Sequence, residues 1–465
     1  MTLPDLTSLL GADSVSTDPI DLAAHAHDWW PDALLRERSG ETLTLPVAVI
    51  RPSSAEQVAS TLRWASAAGT PVVPFGGGSG VCGAAQAVAG AIALDTRRLD
   101  RIQIDETALT VVAGAGVMGS VLEAALNERG LTLGHYPQSI EISTVGGWCA
   151  TRGAGQKSSA YGRIDDMVLG MEVALAGGDL VRFPARAGTS AGPDLMRVFL
   201  GSEGTLGVIT EATLRLHPQP SEASHAAFGF ERFEDGLDAL RLLARAGALP
   251  AVARLYDEAD AAIAFRDRAP GGSVLIVRFE GDDGPVAAAR RDAALGMLRR
   301  AGARDLDASL SETWWSHRNA AVETFGKIMR EGLLGPTGAV DTMEVAGAWP
   351  ADGLYRAVRE ALSPHADVVA CHASHVYPQG VCLYFTFVLL NSPDDTIARQ
   401  RYEAAWRAGM EAVLAAGGTI THHHGVGMLR APWIERELGE AMGVWRSIKA
   451  ALDPEGIMNP GKSGL

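Results

Sequence analysis

The chain has 465 residues, 47% of them hydrophobic and 20% charged, with a formal net charge of −15. That length carries two or three domains with real cores, and the balance excludes global disorder. The acidic surplus and the lack of a basic stripe argue against a nucleic-acid partner, so an anionic ligand would need locally placed Arg, Lys or His.

The four cysteines, Cys82, Cys149, Cys371 and Cys382, form no CxxC and fit a reduced, cytoplasmic protein. The N-terminus lacks the basic start and apolar run of a signal peptide, and no stretch approaches the ~20 apolar residues of a membrane span. Peripheral membrane contact stays open.

The first forty residues read as irregular, with an aromatic-acidic cluster, His27-Asp28-Trp29-Trp30-Pro31, placed to cover a sheet edge. An α/β pattern follows. Val47-Ala48-Val49-Ile50 reads as a strand. Pro52-Ser53 leads into a helix through Val58, Leu62 and Ala65, with Glu56 three after Ser53 as a capping box and Gly69 as its stop. Val72-Val73-Pro74 is a short strand, 91–94 and 109–112 are further strands, and a helix is expected over about 117–129. Residues 167–176 and 180–183 read as a hairpin, and 207–214 as the strand that closes this region. From about 219 the pattern changes. Helices near 233–246, 284–302 and 395–416 and strands near 274–279 and 383–390 describe a separate antiparallel α+β domain. The last segment, 432–465, is helical before it runs through Asp453-Pro454-Glu455-Gly456.

Three glycine-rich turns interrupt this pattern. Gly76-Gly77-Gly78-Ser79-Gly80 follows a strand, where glycine lets backbone N–H groups close on a phosphate; a tight turn is the other reading. Gly114-Ala115-Gly116-Val117-Met118-Gly119 is a literal GxGxxG. The nearest downstream acid at the spacing of a ribose partner, Glu141, stands in an irregular stretch rather than at a strand end, and a strand-to-helix turn is the alternative. The third turn is Gly201-Ser202-Glu203-Gly204-Thr205-Leu206-Gly207. Between them, residues 137–160 are rich in Gly, Ser and Thr and aperiodic, and long ordered loops tend to be functional. Three such turns and that loop suit a large cofactor with a diphosphate.

On Pro74-Phe75-Gly76-Gly77-Gly78-Ser79-Gly80, Pro137-Gln138-Ser139-Ile140-Glu141-Ile142-Ser143-Thr144-Val145-Gly146-Gly147 and the stretch from Gly201 to Ile209, the chain resembles the vanillyl-alcohol-oxidase, or PCMH-type, family of FAD-binding proteins. The resemblance implies an α+β protein: a two-subdomain FAD-binding domain over 1–218, a cap with an antiparallel sheet over 219–430, and a C-terminal segment, 431–465, that returns to the FAD domain. It implies that the Pro74 to Gly80 loop holds the pyrophosphate. His135, Pro137 to Thr144, Gly147, Thr151, Arg152, Gly153, Ala154, Glu203, Gly204, Thr205, Leu206, Gly207, Val208 and Ile209 would line the rest of the cofactor. No His or Cys takes an obvious attachment position, so non-covalent FAD is expected, and the GxGxxG is then structural.

His422-His423-His424, followed by Gly425-Val426-Gly427, is the most concentrated chemistry in the chain. Imidazoles bind metals, hold anions or move protons, and set against a flexible glycine pair all three readings stand. With Leu133 to Ser139, Thr144 to Trp148 and Gly380 to Phe385, this run resembles the alkylglycerone-phosphate synthases. What that resemblance implies is specific. Tyr384 is the acid/base, Arg330 contacts substrate, Arg254 matters for activity, and the three histidines line the site as cationic or hydrogen-bonding groups. The reaction is redox-neutral: the acyl group of acyl-dihydroxyacetone phosphate is replaced by a fatty alcohol, with the substrate trapped at flavin N5. The substrate is thus a small molecule or lipid phosphate, and a homodimer is expected.

A sister resemblance, to FAD-dependent D-2-hydroxy-acid dehydrogenases, implies a divalent metal on two histidines and a glutamate. Here His375 matches one histidine, but His423 stands at the glutamate position, so no metal is expected, although His372, His375, His422 and His423 could improvise a zinc site. Two stretches depart from the synthases. The cap segment Asp260 to Ser273 is short, and Ile457-Met458-Asn459-Pro460-Gly461-Lys462 is closer to the hydroxy-acid enzymes. The plainer readings are a packing tyrosine at 384, a solvated charge at Arg330, an ion-pair partner at Arg254 and, for the whole chain, a flavin scaffold without catalysis.

Overall fold

Sheets of four, five and seven strands and a two-stranded pairing of Leu131–Thr132 with His217–Pro218 carry the chain in a computed structural model that describes residues 2–268, 271–281 and 284–465. The apolar runs before residue 100 form a sheet in which Ala48–Ile50 and Val72–Phe75 flank Ile92–Asp95 in parallel, with Val15–Ser16 antiparallel at the edge. Ala55–Ala68 is the crossover helix. Its cap is Ser54, whose side chain accepts from the Gln57 N–H, one residue later than the expected Ser53, and Gly69 ends it at φ 62°. The second sheet is antiparallel, ordered Ile102–Asp105, Thr110–Gly114, Val208–Arg215, Val168–Ala174, Leu180–Phe183, and includes the expected hairpin.

The first forty residues are not irregular. They form helices Leu3–Leu10, Pro19–Ala24 and Pro31–Arg38, two of them opened by a proline that is pre-set for a first helical turn. Trp30 packs on the cap core, and the helix that follows lies against Ala339–Ala348, an edge strand of the cap sheet. Trp29 donates its N–H to the Gly80 carbonyl (2.7 Å) and stacks on Phe325 at 6.0 Å.

The cap is one antiparallel seven-stranded sheet, ordered Arg304–Leu306, Glu222–Phe230, Ser273–Gly281, Val252–Tyr256, Val368–Val376, Gly380–Leu389, Ala339–Ala348. Helices Phe233–Arg245, Asp352–Leu362 and Asp395–Ala415 bury their apolar stripes in its core. The C-terminal segment divides between the cores: Ile434 and Met442 join the cap, while Ile457 and Met458 join the core of the N-terminal domain, where Met458 bridges Val72. The fold class is thus α+β, and no described helix is long and apolar enough to cross a membrane.

Candidate active site

Residues directly opposite in antiparallel strands share a face. The register aligns Glu344 with Tyr384, Tyr384 with His372, and His372 with Tyr256, so four polar side chains form one row across the cap sheet. The loop carrying the histidine triplet is fastened to this row.

Glu344 is fully buried, and its carboxylate accepts from the backbone N–H groups of His422 (2.5 Å), His423 (3.2 Å) and His424 (3.0 Å), from the Thr421 hydroxyl (2.7 Å) and from Arg430 (2.9 Å). Arg430, also fully buried, donates to the Gly425 carbonyl (2.7 Å) and lies over the Trp406 ring. Burial opposes the charge on Glu344, but Arg430 holds the carboxyl well below its usual range. From the FAD domain, Glu203 accepts from the N–H groups of Val426 (2.6 Å) and Gly427 (2.8 Å) and from the Ser463 hydroxyl (2.6 Å). A Cβ at Gly425 would stand 2.0 Å from Glu203 Oε1, and one at Gly427 2.1 Å from the Cys82 carbonyl. The glycine pair is therefore a fitted joint rather than a flexible hinge. A buried carboxylate from each domain clamps the loop.

The rings above this clamp are packed together. Tyr384 stacks on His372 (4.7 Å between centroids) and meets the edge of His424 (5.6 Å). His375 stacks on His422 (5.0 Å) and lies 4.8 Å from His423. His372 Nδ1 is 2.8 Å from Asp260, and Arg254 reaches the same nitrogen at 3.3 Å. Burial lowers His424 and His372 to about 4, with Arg254 adding to the shift on His372, and pushes His375, His422 and His423 well below 6.5. The imidazoles are neutral near pH 7, so of the two expected roles, cationic or hydrogen-bonding, they rest in the hydrogen-bonding one. Burial also raises the Tyr384 phenol, to about 12, despite the nearby Arg254. It is a proton donor at rest, not a phenolate.

Glu344, Cys382, His422 and His423 bring one donor atom each within 4.8 Å of one another. The set suits a divalent cation poorly. Both Glu344 oxygens are taken by hydrogen bonds, Arg430 places a positive charge against it, and burial raises the Cys382 thiol well above its usual value.

The glycine loops fit FAD. The N–H groups of Gly77, Gly78, Ser79 and Gly80 meet no acceptor among the described residues, as a diphosphate cradle requires. A Cβ at Gly77 would fall 1.9 Å from the Ile142 carbonyl, one at Gly76 2.5 Å from Thr144 Oγ1, and one at Gly204 2.7 Å from Pro74 Cγ, so the three loops meet with no room to spare. By contrast, Gly114 and Gly116 donate to Arg101 and Leu99 carbonyls, so the GxGxxG is a packed turn.

Next to the cradle, Gln138, Ser139, Glu141 and Ile142 face Trp29, Lys327 and Arg330 across a cavity of about 510 Å³. Arg330 therefore belongs to this cavity and to Trp29 (4.8 Å), not to the Tyr384 cluster. Several predicted cofactor residues turn their side chains elsewhere. Ile140, Leu206, Val208 and Ile209 are core, Arg152 pairs with Asp165, and Glu203 holds the triplet loop. Ser143 accepts from the Trp148 indole, Thr144 caps helix Val145–Thr151, and Thr205 bonds the Ser202 carbonyl. His135, buried against Trp148, has both ring nitrogens unpartnered and is lowered to about 3 by burial.

Glu344 and Arg430 escaped the sequence reading. Their one signal was a pair of acids, Asp341 and Glu344, between the apolar residues Val340, Met343 and Val345, and an Arg six residues after the triplet.

The family described as FAD linked oxidases, C-terminal domain, matches residues 219–463, and the FAD binding domain family matches residues 46–184. The uncharacterized FAD-linked oxidoreductase YgcU of Escherichia coli (strain K12) is 33% identical over 98% of this chain and 96% of its own. The alkyldihydroxyacetonephosphate synthase of Dictyostelium discoideum is 29% identical over 98% of this chain and 80% of its own. A solved alkyldihydroxyacetonephosphate synthase structure superposes with a TM-score of 0.82 at 25% identity, covering 99% of this chain and 85% of that one.

Proposed function

Because this chain belongs to the FAD-linked oxidases, with an FAD binding domain ahead of their C-terminal domain, we propose that it is an FAD-dependent enzyme of the alkyldihydroxyacetonephosphate-synthase kind. It would exchange the acyl group of acyl-dihydroxyacetone phosphate for a fatty alcohol, with no net redox change. The observation that supports this is the use made of Glu344. A metal-assisted hydroxy-acid oxidation needs a free carboxylate beside the histidines, and this one is consumed by the triplet loop and Arg430. Proton chemistry then falls to Tyr384 and the imidazoles.

FAD, bound through the Gly77–Gly80 cradle and non-covalently, supplies the electrophilic ring. The residues divide the remaining work. His423 and His424, neutral and backed by Glu344 at 3.8 and 3.7 Å, take up a proton from the substrate carbon, and the carboxylate stabilises the imidazolium that forms. Tyr384, still protonated, donates to a substrate oxygen. Base duty thus moves from the tyrosine to the imidazoles. Arg254, which pairs with no carboxylate among the described residues, offers its charge to a substrate anion, and the Arg330 fork at the cavity suits a phosphate.

The test is anaerobic mixing of the FAD-loaded protein with acyl-dihydroxyacetone phosphate and labelled hexadecanol. Incorporation of label with release of fatty acid is expected. Rapid bleaching of the flavin by D-lactate or glycolate, with no incorporation, would replace this reading with D-2-hydroxy-acid oxidation, which the unpaired Arg254 beside neutral imidazoles would also serve.

A further inference from the structure

One hydrogen-bonded thread leaves the active-site cluster and is used by none of the chemistry above. His423 Nδ1 lies 3.0 Å from His422 Nδ1. His422 Nε2 lies 3.1 Å from the Tyr377 hydroxyl, which donates to Ser158 Oγ at 3.4 Å, and Ser158 Oγ lies 2.6 Å from His375 Nδ1. His422, Ser158 and His375 are buried, whereas Tyr377 is half-buried and continues into the exposed residues Pro378 and Gln379. The thread therefore starts beside Tyr384 and runs to a half-buried tyrosine that precedes an exposed turn.

We propose that His422, Tyr377 and Ser158 form a proton relay that connects His423 with solvent at the 377–379 turn. The proposal takes from the proposed function only that His423 receives a proton. One assignment directs every bond the same way: His423 carries Nδ1–H and donates to His422, His422 carries Nε2–H and donates to Tyr377, Tyr377 donates to Ser158, and Ser158 donates to His375. A proton arriving at His423 Nε2 then releases the Nδ1 proton to His422 Nδ1, and His422 releases its Nε2 proton to the Tyr377 oxygen. Tyr377 passes its own proton to water at the turn or through Ser158. One proton enters, one leaves, and the tautomers of both imidazoles invert.

The backbone is shaped to hold this thread. His375 is a non-glycine residue at φ +52°, at an irregularity between Ser374 and Val376 in the ladder with the next strand. A left-handed conformation is unfavourable for an L side chain and persists only where the surroundings impose it. Here the neighbouring serines of helix Ser158–Tyr161 impose it: Ser159 accepts the Val376 N–H at 3.0 Å while Ser158 takes the His375 ring. The His375 ring makes no hydrogen bond beyond Ser158 among the described residues, so the thread ends there and Tyr377 is the outlet. Glu344, beneath His423, supplies the negative charge that lets a proton pause there.

The test needs no substrate, so its failure is distinguishable from failure of the synthase reading. In FAD-loaded protein labelled with ¹⁵N-histidine, ring ¹⁵N shifts are expected to report His423 as the Nδ1–H tautomer and His422 as the Nε2–H tautomer. In Tyr377→Phe the His422 donor loses its acceptor. Exchange of the His423 ring proton with solvent is then expected to slow about tenfold, below the usual contribution of a positioned proton-transfer group. Unaltered flavin absorbance and melting temperature show that the variant is folded; if Tyr377→Phe does not fold, the tautomers of His422 and His423 in the unsubstituted protein decide the relay. The opposite tautomers, or an unchanged exchange rate in a folded variant, would overturn the relay.

Discussion

Replacing Glu344 with glutamine tests the central structural claim, that one buried carboxylate builds the histidine site. The substitution keeps size and shape. It removes the charge opposite Arg430 and replaces an acceptor oxygen by an NH₂ group. The two oxygens now accept three backbone N–H groups, one hydroxyl and one guanidinium N–H. Whichever way the amide turns, its NH₂ points at donors: at the His422 and His423 N–H groups, or at Thr421, His424 and Arg430. Removing one partner of a buried ion pair costs about 3–5 kcal/mol, because the other charge stays buried. Arg430 has no exposed surface through which to recover hydration. At about 2–4 °C per kcal/mol for a body the size of the cap, the melting temperature should fall by roughly 10 °C. Differential scanning calorimetry of the FAD-loaded protein reads this directly. Flavin absorbance should persist, because the Gly77–Gly80 cradle is built elsewhere. A melting temperature within a degree or two of the wild type, with the tautomers of His422 and His423 unchanged, would refute the claim.

Other outcomes follow from the same geometry. Gly77→Ala forces a Cβ against the Ile142 carbonyl; an overpacked loop costs about 1–3 kcal/mol, so the FAD dissociation constant measured by flavin fluorescence should rise about ten- to a hundredfold, and an unchanged value would remove this loop from the cofactor site. Tyr384→Phe should lower turnover by about 10²–10⁴-fold with FAD retained; unaltered turnover would take Tyr384 out of the reaction. His372 and His424 are held near 4 in the folded chain against an ordinary 6.5. The unfolded chain binds their protons first, so stability is complete above about pH 6.5 and falls as pH drops toward 4, by roughly 3 kcal/mol for each histidine. A urea midpoint no lower at pH 5 than at pH 7.5 would contradict this. Elemental analysis should find no stoichiometric zinc, and one zinc per chain surviving dialysis against a chelator would return the triplet to metal binding.

Local sequence determined a good deal of this protein. Gly76 to Gly80 and Gly201 to Gly207 announced a diphosphate cofactor because close backbone approach can be met by few residues other than glycine, a constraint written into the chain itself. Helices such as Phe233–Arg245 and Asp395–Ala415 were legible from their periodicity, and the histidine run from its composition. The tertiary structure decided what those histidines are. Tyr384 meets His372 only through strand register, and Glu344 reaches His422 from a strand 78 residues earlier. Arg330 was assigned to the same centre by resemblance, but a helix carries it to a neighbouring cavity. The triplet's charge could not be read from three adjacent imidazoles either. It depends on how much water and which carboxylates surround them, and burial, a property of the folded chain alone, makes them neutral.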